Sequence, residues 1–173
     1  SFVLASDATG QTVTLTEGVD TLGTGIVANG AVTIGPVTLA EGSHNLQASV
    51  TQDGNTSQTD LTVVVDVTAP TITLTSPAAS PATYTADDDQ QGGAPLNTSF
   101  EFNVTGAVGG TLSGASSQTA SIDTVAVNAD GAVTITGATL NNGLVHEITF
   151  TVTDPAGNTA EALLTATVDV VSP

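Results

Sequence analysis

Asp and Glu are almost the only chemistry this chain offers: 17 carboxylates, two His, and not one Lys or Arg, for a formal charge of -17. Glu41 precedes a turn glycine, Asp154 opens the turn Asp154-Pro155-Ala156-Gly157, and Asp66 and Asp169 each begin a short run that ends in proline. Carboxylates drawn together from separate segments, with no cationic side chain to neutralise them, form a site for a hard divalent cation with oxygen ligands. Ca²⁺ tolerates the irregular geometry that such convergence produces. The alternative role for these residues is to hydrogen-bond turn amides, as Asp often does. The densest charge is Asp87-Asp88-Asp89-Gln90-Gln91-Gly92. Asp87, Asp89, Gln91 and Gly92 match the first half of an EF-hand loop. The twelfth position is Thr98 rather than Glu and no helix flanks it, which leaves a looser cation loop or a solvated acidic loop.

Other chemistries are poorly served. Nucleic-acid binding, phosphate cradles, Schiff-base lysines and attraction to anionic lipid all need Lys or Arg. Cys is absent, so there is no thiol nucleophile, disulfide or Cys–zinc site. Ser, His and Asp are present without a nucleophile elbow. One Tyr and no Trp leave little surface on which to stack a sugar. His44 and His146 occupy the same place in two copies of a repeat, and a catalytic residue is seldom needed in both. The expectation is a protein that is not an enzyme. No segment approaches the roughly 18 to 20 apolar residues that span a bilayer, so direct membrane insertion is not expected, and no signal peptide begins at Ser1. The chain reads as an internal segment of a larger exported polypeptide.

The elements that must position the carboxylates are strands. Ala31-Val32-Thr33-Ile34 returns as Ala132-Val133-Thr134-Ile135, Gly54-Asn55-Thr56 as Gly157-Asn158-Thr159, and Val65-Asp66-Val67 as Val168-Asp169-Val170. A period near one hundred residues is too long for a solenoid and suits a small β domain. His146 to Thr153 alternates strictly, with Ile148, Phe150 and Val152 on one face, and its partner is His44 to Thr51 with Leu46, Ala48 and Val50 inward. Asn29-Gly30 and Asp130-Gly131 each precede the Ala-Val-Thr-Ile strand, as hairpin turns do. Short strands with frequent turns predict an all-β chain of tandem two-sheet sandwiches. In the second repeat, strands are expected near 71–75, 99–105, 119–127, 132–139, 146–153 and 161–169, with a long loop over 76–98. The boundary falls at Asp66-Val67-Thr68-Ala69-Pro70, giving domains 1–70 and 71–173. Ser1-Phe2 aligns with Ser99-Phe100, so the first repeat lacks a counterpart of 71–98 and its first strand is missing. Either the chain is cut from a longer protein or another molecule supplies that strand.

Gly42, His44, Asp53-Gly54-Asn55 and Asp66 to Pro70, with Gly143, His146, Asp154 to Asn158 and Asp169 to Pro173, form one signature. It resembles the bacterial Ig-like repeats of giant surface adhesins and biofilm-associated proteins of the RTX-adhesin extender type. The resemblance implies tandem Ig-like β-sandwich domains, an extracellular or cell-surface location, and calcium at domain junctions. In such a sandwich the last strand exits at the bottom and the preceding hairpin sits at the top. Asp154 is then expected near the linker Asp66, with Glu41 approaching from below; Asp169 is the counterpart of Asp66. The first-repeat turn Gln52-Asp53-Gly54 is shorter than Asp154-Pro155-Ala156-Gly157, so a ligand at that turn is less expected. The functional expectation is a spacer, with neighbouring repeats of the same polypeptide as partners. The other reading is a subunit of an extracellular filament or surface layer, joined to other copies of itself by strand exchange.

Overall fold

The computed structural model describes residues 1–89 and 95–170. The chain is all-β: among the described residues the only helical turn is the 3₁₀ segment Ala86–Asp88, and no helix is long and apolar enough to cross a membrane. It divides into two compact units, Ser1–Val67 and Thr68–Pro173, a partition that falls inside the Asp66 to Pro70 segment.

Unit 1 contains β1 (Phe2–Ala5), β2 (Thr12–Glu17), β3 (Asp20–Ile26), β4 (Ala31–Ile34), β5 (Gly42–Gln52) and β6 (Asn55–Val65). β1 and β4 form a two-stranded sheet, and β3-β2-β5-β6 form a four-stranded one. Val13 and Leu15 from β2, Val32 and Ile34 from β4, and Leu46 and Ala48 from β5 share one core. That core therefore joins both sheets, each strand giving alternate residues inward as a pleat demands. The β5–β6 hairpin closes in two residues, with Asp53 at φ 52° and Gly54 at φ 80°. Asn29 at φ 51° and Gly30 at φ 80° turn the chain into β4 in the same way.

Unit 2 contains β7 (Thr71–Ser76), β8 (Ala82–Thr85), β9 (Leu96–Thr105), β10 (Thr111–Ser116), β11 (Ala120–Ser121), β12 (Val125–Ala126), β13 (Gly131–Leu140), β14 (Val145–Thr153) and β15 (Thr159–Asp169). Its sheets run β11-β13-β9-β7 and β12-β10-β14-β15-β8. Three aromatic rings join them across the core: Phe150 of β14 lies 4.9 Å from Phe100 and 4.7 Å from Phe102 of β9, centroid to centroid, both tilted or edge-on.

The structure departs from the expected strands in three places. The stretch 76–98 carries β8, which runs parallel to β15. β10 occupies 111–116, where no strand was expected. The expected strand over 119–127 is two short pieces on different sheets, β11 on β13 and β12 on β10. The reason is local: the chain crosses between sheets so that Ile122 lies over Gly114, where a methyl group would approach the Ile122 Cγ2 to 2.6 Å.

Candidate functional site

Both His rings are held at the same two places, Nε2 on a main-chain carbonyl and Nδ1 on the last residue of the facing strand, with a different partner there in each unit. In unit 2, His146 is fully buried; its Nε2 lies 3.0 Å from the carbonyl oxygen of Asn141 and its Nδ1 lies 2.9 Å from Ser116 Oγ. A carbonyl only accepts, so Nε2 carries the proton and Nδ1 accepts from the serine hydroxyl. In unit 1, His44 Nε2 is 2.8 Å from the Ala40 carbonyl and Nδ1 is 2.9 Å from Glu17 Oε1. Here both ring nitrogens face acceptors, which favours the imidazolium. The His44 pKa is accordingly raised, first by the Ala40 carbonyl and then by the Glu17 carboxylate, with burial opposing both. Each ring staples the end of β2 or β10 to the loop before β5 or β14. The Ser116–His146 pair has hydrogen-bond length, with its ring buried and its far nitrogen held by the main chain, so it ties β10 to the loop before β14.

Asp154 is the most constrained carboxylate. It is 4% exposed; Oδ1 accepts from the Asn158 backbone N–H at 2.9 Å and Oδ2 from Asn158 Nδ2 at 2.9 Å. Its pKa is lowered, chiefly by the Asn158 side-chain amide, with the Asn158, Ala156 and Gly157 backbone amides adding and burial opposing. The charged form is therefore the one the turn holds, and Asp154 makes the amide contacts of a turn clamp. The turn allows this because Gly157 takes φ 95° and donates to the Asp154 carbonyl at 3.1 Å. Gly110 lies directly against it, where a methyl would overlap the Thr153 carbonyl oxygen. The two-residue turn of unit 1 has no equivalent clamp, because Asp53 is itself a central turn residue.

The remaining candidate ligands sit as follows. Asp66 follows β6 and is exposed, and Glu41 is exposed beside Gly42 at φ 130°; both belong to unit 1. Asp169 ends β15, exposed, opposite Thr85 of β8. Asp87 is exposed in the 3₁₀ turn, whose start is closed by Asp88: its Oδ2 accepts from Thr85 N–H at 2.8 Å and from Thr85 Oγ1 at 3.1 Å. Asp89 Oδ1 accepts from the Asn97 N–H at 3.0 Å and so fixes the entry to β9. Gln90, Gln91 and Gly92 lie outside the described residues. Within each unit, among the described residues, no three His, Asp or Glu side chains gather closely enough to hold one metal ion.

Sequence reasoning singled out both His residues and missed what they bind. The signal was present in register: Glu17 pairs with Leu46 and Ser116 with Ile148, each two residues beyond its His. A second shared device also escaped notice. Gly10 and Gly109 sit at φ 83° and 86°, and donate at 2.9 and 2.8 Å to Val27 and Val127 carbonyls respectively. Ala8 and Ala107 lie buried beneath these turns.

No protein-family model and no curated protein matches the chain. Among solved structures it is similar to one described as "Biofilm associated protein - BSP domain", at 21% identity and TM-score 0.38, covering 97% of this chain and 26% of that one. It is also similar to a β-glucuronidase from glycoside hydrolase family 2, at 15% identity and TM-score 0.33, covering 99% of this chain and 19% of that one. A β-glycosidase from Bacteroides vulgatus follows at 8% identity and TM-score 0.32, with coverage of 95% and 24%. The chain thus spans about a quarter or less of the length of these solved chains.

Proposed function

We propose that the chain is a pair of tandem Ig-like β-sandwich repeats serving as a spacer within a large bacterial cell-surface or secreted adhesin. The observation that carries this reading is duplication. The same His staple and the same buried-Ala, positive-φ-Gly turn recur in two all-β units, so what is repeated is scaffold. The absence of Lys and Arg removes the groups that would grip nucleic acid or anionic lipid. The resemblance of the Gly42 to Pro70 and Gly143 to Pro173 signatures to adhesin repeats supports an extracellular setting, with neighbouring repeats as partners and no enzymatic role.

The mechanism in this reading is stiffening by Ca²⁺ at the linker, with Asp66 and Glu41 as the ligands that unit 1 offers and Asp169 as the counterpart of Asp66 one repeat on; Asp154, whose two oxygens are held by Asn158, stays a turn clamp. A bound ion that favours the straight form stabilises it by about 2.7 kcal/mol at a hundredfold excess over Kd. Millimolar Ca²⁺ is expected to raise the melting temperature and lengthen the maximum dimension in small-angle scattering, and Asp66→Ala to remove most of both. Unchanged values in chelator and in Ca²⁺ would leave the carboxylates as turn caps. The other reading, a filament subunit joined by strand exchange, draws support from β1 and β6 of unit 1, edge strands whose unit 2 counterparts β9 and β15 each have a second neighbour.

A further inference from the structure

Two asparagines of the chain precede a glycine, Asn29-Gly30 and Asn142-Gly143, and the fold treats them differently. Asn29 and Gly30 are the central residues of the hairpin turn that enters β4. The turn is closed by the Ala28 N–H on the Ala31 carbonyl at 2.8 Å and the Ala31 N–H on the Ala28 carbonyl at 3.1 Å. Both central residues are exposed. Among the described residues, neither the Asn29 side chain nor the Gly30 N–H makes a hydrogen bond, and the space where a Gly30 side chain would stand is open. Asn142-Gly143 is held twice. Asn142 Oδ1 accepts from the Val170 N–H at 2.7 Å, and the Gly143 N–H donates to the Val168 carbonyl at 2.8 Å. At the repeat position that matches Asn29, unit 2 has Asp130, whose Oδ1 accepts from the Gly106 N–H at 2.8 Å.

An asparagine followed by glycine is able to close on its own main chain. The nitrogen of the next residue attacks the side-chain Cγ, and a residue with no Cβ leaves that nitrogen open to approach. Attack needs an amide side chain free to turn and an N–H not already engaged as a donor. We propose that Asn29 is a site of spontaneous covalent modification and that the fold keeps Asn142 from the same reaction. Gly30 N bonds to Asn29 Cγ and the Cγ–Nδ2 bond breaks. Nδ2 leaves as ammonia, taking the proton that Gly30 N gives up. Solvent water then opens the five-membered imide. Hydrolysis at Cγ leaves aspartate, and hydrolysis at the Asn29 main-chain carbonyl leaves isoaspartate; nothing is oxidised or reduced. Either product adds a negative charge to a chain with no Lys or Arg. Isoaspartate also lengthens the main chain by one carbon in the turn that delivers Val32 and Ile34 of β4 to the unit 1 core. Unit 2 is spared at the matching turn, because Asp130 is tied to Gly106 and a carboxylate resists this attack. The inference is independent of the spacer reading.

The test incubates the full chain in mildly alkaline buffer, folded and in guanidinium chloride, and follows both pairs by mass spectrometry. Cleavage after Glu17, Glu41, Glu101 and Glu147 puts Asn29 and Asn142 in separate peptides. In the folded chain, Asn29 is expected to show the mass gain of an amide-to-acid exchange about tenfold or more faster than Asn142, the factor that two retained hydrogen bonds supply. Its product should separate into two species of equal mass, aspartate and isoaspartate. In denaturant the two rates should converge, since both pairs are Asn-Gly. Equal rates in the folded chain overturn the proposal. So does an Asn29 that changes only in denaturant, because the turn then protects it as well. A difference that persists in denaturant also overturns it, because the fold is then not the cause.

Discussion

At one cross-strand position the two units solve the same packing problem in opposite ways. In unit 1, Leu15 of β2 stands opposite Ala48 of β5; in unit 2, Gly114 of β10 stands opposite Phe150 of β14. The large side chain has moved from one strand to its neighbour, and the residue facing it has shrunk to match. A methyl on Gly114 would come within 3.1 Å of the Phe150 ring, so glycine there is a requirement of volume, not of backbone angle. What the template preserves is the filled space between facing positions, and not the residue at either one. The aromatic solution binds the sheets through three rings; the aliphatic one leaves Phe2 and Leu4 only half-buried on an edge strand.

The largest expected effect comes from breaking the aromatic solution. Phe150→Ala leaves Phe100 and Phe102 without their shared neighbour and is expected to cost about 3–5 kcal/mol in unit 2. Differential scanning calorimetry would show the unit 2 transition falling while that of unit 1 stays in place. Next, Ala48→Phe in unit 1 overfills the space against Leu15 and is expected to cost about 1–3 kcal/mol. Adding Leu15→Gly recreates the unit 2 arrangement and should recover part of that loss. Full additivity of the two changes would show that the positions do not share one space.

The units are also expected to answer pH in opposite senses. Stability from the Glu17–His44 contact is complete below the ordinary imidazole pKa of about 6.5, and is lost as pH rises through the raised folded value. Stability from the Asp154 clamp is complete above the ordinary carboxyl value of about 3.9, and is lost as pH falls through the lowered folded value. Chemical denaturation across this range should destabilise unit 2 in acid and unit 1 toward mild alkali. The smallest and sharpest change is Glu17→Ser, which gives His44 the partner that His146 has. It should reduce the unit 1 response near neutral pH without abolishing it, because the Ala40 carbonyl that raises His44 most remains, and should leave the acid limb of unit 2 untouched.

Strict alternation made β14 and β5 legible from residues alone, because each buries every second side chain against one core. β10 was illegible for the converse reason: Gly114 stands where alternation would place a large apolar residue, and its complement, Phe150, lies on another strand. β8 was hidden by brevity and by its parallel pairing with a strand at the far end of unit 2. The His residues announced themselves by repetition, but Glu17 and Ser116 differ between copies and become partners only once β2 and β10 are in register. Tyr84 is buried with its hydroxyl pKa pushed up to about 12, first by desolvation and then by Asp88. Nothing in its neighbourhood in the chain signals that burial, since the apolar surface covering it comes from distant strands. The carboxylates were legible as residues and not as roles: Asp154 holds its own turn through Asn158, a choice made by local backbone shape.

The exchange of bulk between Leu15–Ala48 and Gly114–Phe150 bears on how such a chain avoids assembling wrongly. Neighbouring domains of similar sequence risk trading strands as they fold. A mixed pairing of β14 with β2 would force Phe150 onto Leu15, and a pairing of β5 with β10 would set Ala48 over Gly114. The first is crowded and the second hollow, so each hybrid is penalised at the position where the native pairs fit. The volume exchange between the two units thereby acts as an address label, telling each strand which unit it belongs to.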